Sequence, residues 1–171
     1  MINARRLAII RTGVFAGAAG GLAEIAWVTL YAGVIGADPA VLARGVTTAA
    51  GVTALLPAYP VALGIGVHMA LAVMLGVVLS LGWQALSANR RSLANPYPFM
   101  LAALAGVWAV NFFVVLPLIS PDFVHLVPYA VSLTSKLLFG VATAEVVRND
   151  ATFAAPESLL YAQISRGRRT Y

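Results

Sequence analysis

Two residues carry opposite charge inside long apolar runs. Lys136 sits in Val131-Ser-Leu-Thr-Ser-Lys136-Leu-Leu-Phe-Gly140, and Glu24 in Ala19-Gly-Gly-Leu-Ala-Glu24-Ile-Ala-Trp27. If both runs cross a bilayer, an acid and a base lie at similar depth in hydrocarbon. A charge there costs about 2.5–3.5 kcal/mol on insertion scales, so it is rare and is normally paired or functional. A buried carboxylate–ammonium pair can relay a proton or hold a small polar ligand. It can equally act as glue that fixes which helix packs on which. His68, Asn111, Ser132 and Tyr129 supply further donors and acceptors on neighbouring apolar stretches. Together with Glu24 and Lys136 they form the expected buried polar cluster.

Other chemistries are poorly provided for. The chain has no cysteine, which excludes disulfides, thiolate metal sites and cysteine nucleophiles. With His68 and His125 as its two histidines, a multi-histidine metal centre within one chain is excluded as well. Haem b held by both imidazoles would need them at matching depth. His68 lies inside the second apolar stretch and His125 at the end of the fourth, several ångströms shallower by helical rise. No resident cofactor or metal is therefore expected, and contact with a haem or quinone at the edge of a larger assembly is a minor alternative. No P-loop, dinucleotide fingerprint, HExxH or GxSxG pattern occurs, so no catalytic residue is assigned.

The elements that would position these groups follow from composition. Of 171 residues, 61% are hydrophobic and 10% charged, whereas a soluble domain carries roughly 25% charge. A spanning helix needs about 20 mostly apolar residues. Four stretches qualify, at about 12–35, 61–84, 98–118 and 125–147, giving an all-α membrane four-helix bundle over 1–148. Asp38-Pro39, Pro57 and Pro60, Pro96 and Pro98, and Pro117 to Pro121 punctuate the breaks. The first apolar run, Ile9 to Ile35, exceeds the roughly 7–15 residues of a signal peptide's apolar core, so it is expected to remain as a span.

Arginine placement predicts the topology. Arg5, Arg6, Arg11, Arg90, Arg91, Arg148, Arg166, Arg168 and Arg169 fall on one side of the four spans, and Arg44 alone on the other. This bias predicts that both termini are cytoplasmic. The same mapping turns the net charge of +5 into a membrane signal and leaves nothing for nucleic acid. Residues 39–56 are too short to cross and are expected as an outer-surface segment or shallow re-entrant turn. Residues 149–171 read as an amphipathic interfacial tail, with Pro156-Glu157 opening a helix, apolar Leu159, Leu160 and Ile164, and a basic end.

Helices in lipid associate through small residues and buried polar contacts. Span one carries Gly13, Gly17, Gly20 and Gly21 leading to Glu24, Trp27 and Tyr31. Span two carries Gly64, His68, Ala72, Gly76 and Ser80 at intervals of four. Span three places Trp108 and Asn111 on one side. Span four offers His125, Tyr129, Ser132, Lys136, Gly140 and Thr143. These stripes are expected to converge on one axis, closing tightly at the cytoplasmic half and leaving a polar outer half.

The layout is similar to that of YagU-like bacterial inner-membrane proteins. The resemblance rests on a charged residue in span one, His68 in span two, Leu116-Pro117 closing span three, and Ala144-Glu145-Val-Val-Arg148-Asn-Asp150 ending span four. It implies a bacterial inner-membrane location and a loose association with acid tolerance, and transfers no catalytic residues. Lys136 and the glycine-rich start of span one have no counterpart in it. The resulting expectation is a non-catalytic accessory subunit of an inner-membrane complex, energy-transducing or oxidoreductase, touching lipid and other membrane subunits or a second copy of itself. The alternative is a small proton or solute conduit through the polar cluster.

Overall fold

The computed structural model describes residues 4–89 and 95–150. Four long helices cross its length: α1 (Ala4–Val34), α3 (Pro60–Asn89), α4 (Tyr97–Val110) with its continuation, and α7 (Tyr129–Asn149). Each is long and apolar enough to span a membrane. Shorter helices α2 (Ala40–Ala49), α5 (Leu116–Ile119) and α6 (Pro121–Val124) lie in the connections.

Local chemistry explains the boundaries. Gly36 and Gly51 take φ of +69°, a conformation open to glycine because it lacks Cβ. Behind Gly36, the Ala37 N–H donates to Ala32 O at 2.8 Å. Behind Gly51, the Val52 N–H donates to Thr47 O at 3.3 Å. These bonds close the ends of α1 and α2 by satisfying carbonyls the helix leaves open. Asp38 opens α2 by accepting the Ala40 N–H at 2.9 Å. Thr47 then ties α2 to the start of α3, its hydroxyl donating to Pro60 O at 2.6 Å. The expected outer segment is thus a ten-residue helix laid against one end of α3.

The third span is continuous but not uniform. Between α4 and α5 the backbone widens into a π-helical turn over Asn111–Val115. Pro117 follows at once; its ring would clash with a carbonyl four residues earlier in an α-helix, and it offers no N–H. A widened turn accommodates both defects, and such turns are frequent at functional sites. The fourth span starts at Tyr129, behind Pro128, so His125 falls in the turn after α6 and is exposed.

The helices run antiparallel. Arg5, Arg6, Arg11 and Arg148 gather at one end, here the basic end; Asp38, Arg44 and Asp122 lie at the far end. Helix α1 packs along both α3 and α7, and α7 along α4, whereas α3 and α4 barely meet. Their meeting point is near the basic end, where Trp83 and Phe99 have ring centroids 5.9 Å apart. Four faces converging on one axis were expected; the arrangement is instead an open row, α3–α1–α7–α4. The physical reason is that α1 spends Gly13, Gly17 and Gly21 on α3 and a second face, with Ala16 and Gly20, on α7.

The apolar core sits towards the basic end. Ala16, Met100, Leu104, Phe139, Ala144 and Val147 have no exposed surface there, and Leu79 and Trp83 join them. At the far end a smaller cluster holds Phe112, Leu116 and Val124. Gly45 packs against Phe123 and Leu126, so α2 bridges from α3 to α6. The interfacial-tail expectation falls on 151–171 and lies outside the described residues.

Candidate functional site

Glu24 lies at the junction of two helix faces. Gly13, Gly17 and Gly21 recur every four residues and meet α3, while Ala16 and Gly20 meet α7. Glu24 follows Gly20 by four residues and Gly21 by three, so its side chain enters the angle between α3 and α7. A Cβ on Gly17 would run into the backbone of Ala72 and Val73, and one on Gly13 would stand 2.6 Å from Val77 Cα. Gly76 is equally close to the backbone at Gly17. Gly20 makes room for the ring of Phe139, and Gly140 packs on Leu101 and Leu104 of α4. Gly64 faces Ala43 and Thr47 of α2 and does not reach α1.

Inside that angle the ammonium of Lys136 straddles the Glu24 carboxylate, 2.7 Å from Oε1 and 3.0 Å from Oε2. Ser135, one residue earlier on α7, donates its hydroxyl to Oε1 at 3.4 Å. From α3, His68 Nε2 lies 3.4 Å from Gly21 O and 3.7 Å from Glu24 Oε2. Both neighbours of Nε2 are acceptors, so Nε2 is the ring nitrogen that donates here. Lys136 also stands 5.7 Å from the centre of the Phe139 ring, within cation–π range. Charge-assisted bonds of this length are among the stronger ones.

The three side chains differ in access. That of Glu24 is 5% exposed, whereas those of Lys136 and His68 keep 21% and 25%. The carboxylate is therefore the floor of the site, and the two nitrogen bases its open edge. Asn111 stands apart from this site: it lies two turns beyond the core residue Leu104 on α4, next to Phe112 and Phe113, whose rings meet Tyr129. It is half-buried, and its side chain makes no hydrogen bond among the described residues.

The expected six-residue cluster divides in two. Ser132 accepts the Trp108 indole N–H at 3.0 Å and donates to Tyr129 O at 3.0 Å. It belongs to an aromatic group of Trp108, Phe112, Phe113 and Tyr129 between α4 and α7. Tyr129 is 48% exposed and is not a buried residue, because it occupies the first position of α7 at the far end. Sequence reasoning passed over Ser135, and also the bond from Trp27 Nε1 to Val131 O at 3.1 Å. The Ser135–Lys136 adjacency in a span offered a usable signal for the first. Nothing in the sequence pointed to a backbone carbonyl as the partner of Trp27.

At the basic end Glu145 accepts from Arg148 at 2.6 Å, Asn149 at 2.8 Å and the Tyr97 hydroxyl. Thr12 donates to Asp150 Oδ2 at 2.6 Å, joining the two ends of the described chain. Arg11, at the same end, is exposed. No group of three metal-capable side chains occurs among the described residues. Comparison with protein-family models, curated proteins and solved structures returns no match to the chain.

Proposed function

We propose that this chain is a non-catalytic accessory subunit of a bacterial inner-membrane complex, of the energy-transducing or oxidoreductase kind, with both termini cytoplasmic. The observation carrying this reading is the solid packing of its basic half, where Met100, Leu104, Phe139, Ala144 and Val147 are wholly enclosed. Such packing suits a rigid scaffold. The Glu24 carboxylate is likewise engaged by the chain's own helices, as expected for a group that fixes helix order. The cytoplasmic assignment rests on the arginine bias, Arg5, Arg6, Arg11 and Arg148 against Arg44 among the described residues.

The test is purification of the tagged protein from native membranes in mild detergent, followed by sizing and mass spectrometry. Co-purification of stoichiometric membrane subunits is expected. A stable isolated monomer, with neighbouring enzymes unaffected by its deletion, would refute the subunit reading. Proton or solute flux in reconstituted vesicles, reduced by Glu24→Gln, would replace it with the conduit.

A further inference from the structure

We propose that the outward face of α1 at the basic end holds an anionic glycerophospholipid, its phosphodiester on Arg11 and an acyl chain along Phe15 and Leu22. This goes beyond the subunit reading and does not depend on it.

Helix phase sets the face. Ile9, Thr12, Gly13, Ala16 and Gly17 turn inward and are buried. Leu7, Arg11, Phe15 and Leu22 recur at helical spacing and turn the other way. Leu7 and Phe15 are each 62% exposed and Leu22 is 60% exposed. From Val14 to Val34 the helix rises about 30 Å, the thickness of a hydrocarbon core. Arg11 stands about 4.5 Å beyond Val14 by the same rise, in the headgroup layer. An exposed cation therefore sits at the head of an exposed apolar strip, which is the layout of a phospholipid.

Charge decides which phospholipid. The other two described arginines each have an acid: Arg44 has Asp38 at 2.7 Å, and Arg148 has Glu145 at 2.6 Å. Arg5, Arg6 and Arg11 are exposed and have no such partner among the described residues. Both acids described at their end are engaged, Glu145 by Arg148, Asn149 and Tyr97, and Asp150 by Thr12. The segments outside the described residues, 1–3, 90–94 and 151–171, add five arginines against one acid, Glu157, so the chain does not neutralise this excess. The anion at hand in the headgroup layer is a lipid phosphate, and a guanidinium meets it with paired N–H donors. A zwitterionic head would bring a second cation beside three arginines. A head with net negative charge, as in phosphatidylglycerol, does not.

Native mass spectrometry of the full chain in mild detergent reads the lipid that stays bound. Dioleoyl phosphatidylglycerol and dioleoyl phosphatidylcholine are added at equal concentration, and preferential retention of phosphatidylglycerol is expected. Arg11→Gln should lower that retention about fivefold, the effect of one basic residue beside an anionic membrane surface. Arg11→Lys should lose less, and Arg44→Gln, at the far end, should change nothing. Size-exclusion and circular dichroism verify each variant's fold. A diazirine-tailed phosphatidylglycerol gives a readout on the unaltered protein, with labelling expected to concentrate on residues 14–22 of α1. Equal retention of the two lipids, unchanged retention in folded Arg11→Gln, or labelling spread evenly over the helices would overturn the proposal. Full displacement of the lipid by inorganic phosphate would assign the site to a free anion and overturn it too. Absence of partner subunits leaves these readouts in place, so the two proposals fail separately.

Discussion

The two faces of α1 solve the same problem by different means. Against α3, backbone meets backbone: Gly13, Gly17 and Gly76 allow an approach that no Cβ would permit. Against α7, side chains cross the gap, with Phe139 seated on Gly20, Thr143 directed at Ala16 O, and Lys136 and Ser135 on Glu24. The first face is specified by absence of volume, the second by polarity and shape. Lipid competes equally for plain apolar surface, so an interface in a membrane needs one or the other. Glu24 sits where they join and answers to both.

Breaking the polar face should have the largest effect. Glu24→Ala leaves the Lys136 ammonium partly buried and unpaired, a loss of about 3–5 kcal/mol for such pairs. Retention of the folded species on detergent titration measures it. Glu24→Leu with Lys136→Met should recover most of that loss if the pair is glue. A double variant that folds yet fails in the cell would instead assign it a working role.

The glycine face comes next. Gly17→Ile forces a branched side chain into the backbone of Ala72 and Val73, and overpacking of this sort costs about 1–3 kcal/mol, occasionally more. Engineered cysteine pairs across α1 and α3 should crosslink less, while pairs across α1 and α7 should change little. An equal loss at both faces would show that α1 moves as one unit and that the distinction drawn above fails. Trp108→Phe is milder: it removes the indole bond to Ser132 and keeps the ring stack. About 0.6 kcal/mol is the mean for such bonds in a membrane protein, with a maximum near 1.7.

The smallest effect lies outside both faces. The Arg44 guanidinium, at 2.7 Å, and then the Ala40 N–H hold the Asp38 carboxyl below the usual carboxylate range. A depressed carboxyl contributes its stability above the unfolded-state pKa, about 3.9, and loses it as pH falls through the lower folded value. Hydrogen exchange at the start of α2 should therefore quicken only at acid pH well below neutrality, and Asp38→Asn should flatten that dependence.

Much of the fold was legible because its signals are local. Apolar run length gave four spans, prolines their breaks, and Asp38-Pro39 the start of α2. The glycine spacing marked packing faces without naming their partners: Gly13, Gly17 and Gly76 lie where α1 meets α3, whereas Gly20 meets α7 and Gly64 meets α2. What remained hidden depends on rotation about helix axes and on neighbours. Tyr129, Ser132 and Asn111 share spacing with Lys136 or stand at related depth, yet the Trp108 group claims Ser132 and the helix end exposes Tyr129. The π turn likewise follows from a conflict between Pro117 and a continuing helix, and periodicity alone treats that stretch as regular. The closed bundle was misjudged because stripes identify packing faces without telling how many neighbours each helix serves.

The position of Glu24 also bears on biosynthesis. Its helix leaves the ribosome first, and the helix bearing Lys136 is the last of the four spans to be made. Until the fourth span is made, the carboxylate lacks the Lys136 ammonium that engages it in the fold. The nascent chain must therefore shelter an acidic group during most of its insertion. A strain slowed at that step should release more of the Lys136→Met protein to proteolysis than of the parent.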